Sequence, residues 1–190
     1  QIEEPVHHFN CQMESPASDS DLKFYNEAFN RQVKDVETEI WAHTCWGNPN
    51  QQSFYWERPS YDRALDYFLD MKCDVIDLEC ASNQARDAAL FKNVDLKKYG
   101  KKIGIGVVDH TRTTVESPEM VADTIRRALE FIPEDRLVIT ADCGFGREGL
   151  SRRIAYYKCV SLVLGTNIVR SELGLEEKYV AASDNLYSFS

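Results

Sequence analysis

Apolar positions along the chain recur with two different spacings. Short unbroken apolar runs alternate with longer stretches whose apolar residues fall three and four apart, the signature of strands alternating with amphipathic helices. Leu22, Tyr25, Phe29, Val33 and Val36 share one face of a helix predicted over residues 20–37. Ala64, Leu65, Phe68 and Leu69 form the stripe of a second helix, with Ser60 as its N-cap. A short helix is expected near 83–93. Ser117-Pro118 supplies an N-cap and a first-turn proline for a helix carrying Val121, Ile125, Leu129 and Ile132, and Pro133-Glu134-Asp135 ends it. A last helix is expected from near Arg147, with Leu150, Ile154, Tyr157 and Val160 as its stripe and Gly165 as a break. Between them, Ile40–Cys45, Val75–Glu79, Ile103–Asp109 and Val138–Cys143 read as strands, and Gln1–Pro5 as the end of another. Residues 6–19 and the stretch opened by Gly47-Asn48-Pro49 read as loops.

Five strands alternating with helices predict an α/β domain with a parallel sheet, open or closed into a barrel. The 190 residues, 43% of them hydrophobic, suffice for one domain spanning 1–190. Nucleotide-binding signatures are missing. Gly104-Ile105-Gly106 lies inside a strand, and Gly144-Phe145-Gly146 lacks a third glycine. The formal net charge of -9 argues against nucleic acid and anionic membranes as partners. No stretch approaches the roughly 18 apolar residues of a membrane span. Six cysteines without a framework spacing suit a reducing, cytoplasmic setting.

Four soft-metal ligands stand at strand ends: His43 and Cys45, then Glu79, then Cys143. Residues two apart on a strand point the same way, so His43 and Cys45 belong together. In a parallel α/β fold the C-terminal strand ends converge on one face. A single cysteine usually just fills space. Two thiolates, an imidazole and a carboxylate at three matching strand ends make a tetrahedral zinc set instead. Cys11, Cys73, Cys80 and Cys159 are then structural thiols, with Cys73 in the core. Asp109 ends a strand on the same rim, where it either serves the leaving group or caps the following loop. His110 is a candidate for catalytic contact. His7 and His8 follow the first strand end. Arg112, Arg147 and Arg152 either meet an anionic substrate tail or lie on the surface. Asn48 and Trp46 are candidates for the pocket wall, Trp46 equally for the core.

Gln1-Ile2-Glu3-Glu4-Pro5, His43-Thr44-Cys45-Trp46-Gly47-Asn48, Glu79, Gly106-Val107-Val108-Asp109 and Asp142-Cys143-Gly144 follow one another in this order. Together they resemble the C-terminal catalytic barrel of cobalamin-independent methionine synthases. They are also similar to its short single-barrel relatives, which include epoxyalkane:coenzyme M transferase. The resemblance implies the last five βα units of a (β/α)8 TIM barrel, without the first three strands. It implies zinc on His43, Cys45, Glu79 and Cys143, and transfer of a methyl or other alkyl group from a small-molecule donor to a zinc-bound thiol such as homocysteine. Glu3 matches the acidic position that holds the homocysteine amino group, where the methionine synthases carry Asp. Asn48 joins it as a substrate-binding candidate. Thr111 occupies the slot of their catalytic His, and His110 stands one place earlier. Side chains one residue apart on a strand face opposite ways, so His110 serves only if the loop rewinds. Five strands alone leave an open edge, so self-association or a missing N-terminal half is expected, the chain being a fragment, a split subunit or the ordered part of a longer protein. Two other classes remain open: a structural zinc-binding subunit, and a lyase like uroporphyrinogen decarboxylase, which has no use for four ligands.

Overall fold

The computed structural model describes residues 1–4, 17–46, 60–146 and 150–183. Strands β1 (Ile2–Glu3), β2 (Trp41–Thr44), β3 (Val75–Leu78), β4 (Lys102–Gly106) and β5 (Leu137–Thr140) form one sheet, every pair parallel, in chain order. A doubly wound sheet reverses its strand order at a switch point. Strictly consecutive order means that the chain always moves the same way round, as in a barrel. All of β3 is buried, as is β4 beyond Lys102, which matches their unbroken apolar sequences. Register places Glu3 beside His43, His43 beside Asp77, and Asp77 beside Gly104, in one row across four strands.

The helices follow local signals with several departures. Helix α1 spans Asp19–Gln32 and opens with a capping box between Ser18 and Asp21. It ends at Gln32, which leaves Val36 exposed rather than on the buried stripe. Helix α2 covers only Leu65–Asp70, entered through a 3-10 turn at Asp62–Ala64. Ser60 does not cap α2; its hydroxyl donates to Asp87 and accepts from the Asp62 amide. Residues 81–91 make two 3-10 turns, and a further helix, α3 (Leu96–Tyr99), stops at Gly100 with φ 65°. Helix α4 (Pro118–Leu129) starts as expected, with Ser117 as N-cap and proline in the first turn.

Helix α5 (Arg152–Glu172) differs most from the sequence reading. It is capped by Ser151 and runs unbroken through Gly165. A Cβ at Gly165 would lie 2.5 Å from Cβ of Val121 and 2.6 Å from the Pro118 carbonyl oxygen. The glycine is therefore where α4 and α5 cross, and its missing methyl lets them touch. The expected stripe of Leu150, Ile154, Tyr157 and Val160 is only half-buried. Lys158, Ser161, Gly165, Asn167 and Val169 are buried instead. The four residues of β5 are also half-buried, as befits a sheet edge.

Phe29, Phe68, Phe91, Ile76, Ile103, Ile105 and Ile132 form the core, with Cys73 and Cys80 buried beside them. Lys101 is buried too, and its ammonium donates to the Met71 and Cys73 carbonyls. Cys159 is exposed. Among the described residues no helix is long and apolar enough to cross a membrane.

Candidate metal centre

The parallel register brings His43, Cys45 and Cys143 together, their ligand atoms all within 4.8 Å of one another. His43 lies on β2, Cys45 one residue past its end, and Cys143 three residues past β5. The imidazole is fixed from behind. Its Nδ1 is 2.7 Å from Asp77 Oδ2, and Asp77 Oδ1 accepts from the Thr140 hydroxyl at 2.7 Å. A carboxylate on Nδ1 keeps the proton there and turns Nε2 outward as a ligand. Nε2 is buried and 3.7 Å from Glu3 Oε2.

The electrostatics suit a cation. Burial pushes the His43 imidazole toward the neutral form. Hydrogen bonds with Asp77 and Cys143 and the charges of Asp77 and Glu3 outweigh it, raising the pKa to about 10. A hydrogen bond from Cys45, against the cost of burial and with help from His43 and His110, draws the Cys143 thiol down to about 3. Metal-free, the pocket therefore holds a thiolate beside an imidazolium. A metal ion held by these three side chains would take the place of that proton. These residues fit the zinc that the ligand set implied.

Glu79, the fourth ligand expected from the sequence, stands in an adjoining buried trio. Its carboxylate, a His110 ring nitrogen and an Asp142 oxygen lie within 4.8 Å of one another. Glu79 Oε2 accepts from the Trp46 amide at 2.9 Å, one residue along from Cys45. Asp142, next to Cys143, accepts through Oδ1 from the amides of Cys80 and Ala81, both at 2.7 Å. The glycines of β4 make room for these carboxylates. A Cβ on Gly104 would come 2.6 Å from Asp77 Oδ1, and one on Gly106 would fall into the Asp142 carboxylate. Asp77 and Asp142 escaped the sequence reading. The available signal was a lone acid inside the apolar run Val75–Leu78, since a buried carboxylate needs partners.

The loop after β4 resolves two open points. Asp109 accepts from the amide and hydroxyl of Thr111 at 2.8 and 2.6 Å, and its other oxygen is 3.2 Å from Arg112 Nε. Its carboxylate thus holds its own turn, the capping role. Ladder bonding to β5 runs on to Val108, whose carbonyl accepts from the Asp142 amide, and the turn beyond it brings His110 beside Glu79 and Asp142. Glu3 is exposed at the rim, its Oε1 accepting from the Gln1 amide nitrogen. Trp46 is buried with its ring centroid 4.6 Å from that of Tyr61, a core position. Arg112 borders a cavity of about 370 Å³ between α4 and the loop after β3, whose lining includes none of the three clustered ligands. Arg152 lies exposed at the start of α5. Asn48, His7, His8, Cys11 and Arg147 lie outside the described residues.

Comparison with known proteins gives one consistent family. Residues 1–159 match the model of the cobalamin-independent synthase catalytic domain. A methionine synthase of Thermococcus kodakarensis is 41% identical over 152 residues, 80% of this chain and 40% of that protein. One from Saccharolobus solfataricus is 37% identical over 176 residues, 91% of this chain and 45% of that protein. The chain thus spans under half the length of these curated relatives. A solved B12-independent methionine synthase from a Shewanella species, in complex with selenomethionine, superposes with a TM-score of 0.73 at 26% identity. That match covers 90% of this chain and 48% of the other.

Proposed function

The chain belongs to the cobalamin-independent methionine synthase family, in its catalytic domain, and on that premise we propose that it carries the thiol-activating site of a zinc-dependent thiol alkyltransferase. The observation that supports this most is the cluster of His43, Cys45 and Cys143 with Asp77 behind the imidazole. Bound there, zinc would lower the pKa of an acceptor thiol so that it is ionised at neutral pH. Two thiolates keep the site rich in negative charge, which favours a nucleophilic sulfur over hydrolysis. Three ligands with a fourth place open to exchange are the pattern of a catalytic site rather than a structural one. Glu79 is the residue that yields the fourth place, because its carboxylate already has the Trp46 amide to fall back on.

His110 is the proton carrier of this reading, since it lies beside Glu79 and Asp142 one step from the thiols. It would give its proton to the departing group as the alkyl carbon moves to sulfur. Asp109 supports the turn that presents it. Glu3 at the rim, 3.7 Å from His43, is placed to meet the amino group of an acceptor such as homocysteine. Thr111 in the slot of the usual catalytic His favours an alkyl donor other than triglutamyl methyl-folate. An epoxide, whose alkoxide also takes up a proton, is the second reading, and His110 in contact range of the site is what favours it. Two reduced thiols at the centre suit a reducing, cytoplasmic compartment.

Metal analysis of the zinc-treated protein tests the site. One equivalent is expected, falling well below that in Cys45→Ser and Cys143→Ser. Full retention by both variants would sink the assignment. Assembly is a second part of the proposal: β1 and β5 form the edges of the described sheet, and further strands pair there, from a second copy or from the rest of a barrel. Sedimentation showing a monomer with full alkyl-transfer activity would overturn it.

A further inference from the structure

We propose that Lys158 and Glu116 are positioning residues for His110, acting through the backbone of the loop after β4. The inference rests on the reading of His110 given above and concerns side chains from two elements outside that site. Lys158 lies on α5 and is 0% exposed. Its ammonium donates to the Thr114 carbonyl at 2.6 Å and to Glu116 Oε2 at 2.8 Å. Ser161, one turn along the same helix, donates its hydroxyl to the Glu116 carbonyl. Glu116 uses its other carboxylate oxygen, Oε1, to accept from the Asp109 amide at 2.9 Å. These contacts from α5 therefore end on one loop, and the chain of contacts stops one residue before His110.

The arrangement explains why His110 can face inward. Among the described residues the ladder bonds to β5 are seen as far as Val108, two residues before His110. Two restraints replace the ladder. The Asp109 carboxylate closes the turn on its far side through Thr111 and Arg112. Glu116, anchored by Lys158, holds the near side at the Asp109 amide. A buried ammonium is costly unless paired and fully hydrogen-bonded. Here the pairing residue is a bridge to the loop rather than a neighbour on the helix. A lysine serving only to fasten α5 would not need its partner's second oxygen on the backbone beside His110.

The test uses Lys158→Met, which removes the ammonium, and Glu116→Gln, which keeps an acceptor for the Asp109 amide but loses the charge that Lys158 binds. The first readout is the imidazole NMR spectrum of the metal-loaded protein, with His110 assigned by its loss in His110→Ala. The His110 ring signals are expected to shift or broaden in both variants, while those of His43 and the metal content hold. If Lys158→Met fails to fold, Glu116→Gln alone carries this readout. The second is thiol alkylation: kcat should fall about tenfold or more, with KM for the thiol unchanged and no further fall when either variant is combined with His110→Ala. Unmoved His110 signals in the folded variants, or rate losses that multiply in the double variant, would overturn the proposal. If the parent protein alkylates no thiol, the proposed function fails, and the ring signals still decide the positioning role.

Discussion

Replacing Asp77 by Asn should weaken zinc binding without removing a ligand. Asp77 is buried and makes two contacts of 2.7 Å, one with His43 Nδ1 and one from Thr140. An amide of the same shape can keep the Thr140 bond through its oxygen. Its NH2 then faces His43 Nδ1, which must become an acceptor, so the ring proton moves to Nε2 and points at the metal position. If the amide flips, the imidazole keeps its tautomer but loses the negative charge behind it. A hydrogen bond to a charged group is worth about 1.5–3 kcal/mol, and each 1.4 kcal/mol is about a tenfold change. Zinc affinity should therefore fall by about 10- to 100-fold, the range usual for outer-shell partners of a ligating His. Competition against a chromophoric chelator measures this directly. An affinity equal to the parent's would refute the claim that Asp77 sets the orientation and tautomer of His43.

Zinc binding should release about two protons near neutral pH, one from the His43 imidazolium and one from the Cys45 S–H that bonds to Cys143. Calorimetry in buffers of different ionisation enthalpy counts them, and a count of zero would contradict the thiolate–imidazolium pair. The sign of the pH dependence follows: because His43 titrates near 10, protons compete with the metal below that value, and affinity should rise steadily as pH climbs toward it. Gly165→Ala should destabilise the fold. Alanine favours a helix over glycine by about 1 kcal/mol, but its methyl would sit 2.5 Å from Val121, and overpacking of this kind costs about 1–3 kcal/mol. Denaturant unfolding gives the balance, and a clear gain in stability would show that α4 and α5 do not depend on that close approach.

Much of the fold was legible because its signals are local. The Ser117-Pro118 start of α4 and the apolar runs of β3 and β4 need nothing beyond their own residues. The gathering of His43, Cys45 and Cys143 was legible because soft donors at strand ends have few other reasons to be there, whereas Glu79 sits in the adjoining trio with His110 and Asp142. What escaped depends on which residues lie side by side across strands. Asp77 looks like an anomaly until register sets it beside His43. His110 seemed to point the wrong way because strand alternation was carried past Val108, the last residue with a ladder bond to β5, into the turn that Asp109 closes. Lys158 carries no local signal in the sequence, and its contacts with the loop after β4 account for its burial. Gly165 reads as a helix breaker in isolation and as a crossing point once α4 is present.

The two glycines of β4 tie pairs of positions on different strands together. Space at 104 belongs to the Asp77 side chain, and space at 106 to that of Asp142. Neither glycine can gain a side chain alone. Across family members, residues 104 and 77 should covary, with a methyl at 104 tolerated only where the neighbouring acid has been shortened, whereas at 106 the Asp142 backbone itself, 2.8 Å from an added Cβ, keeps the glycine. Redesign of the environment around the ligands must then proceed by paired substitutions at 104 and 77, and a library that randomises Asp77 while holding β4 constant will sample only part of the side chains the barrel could accept.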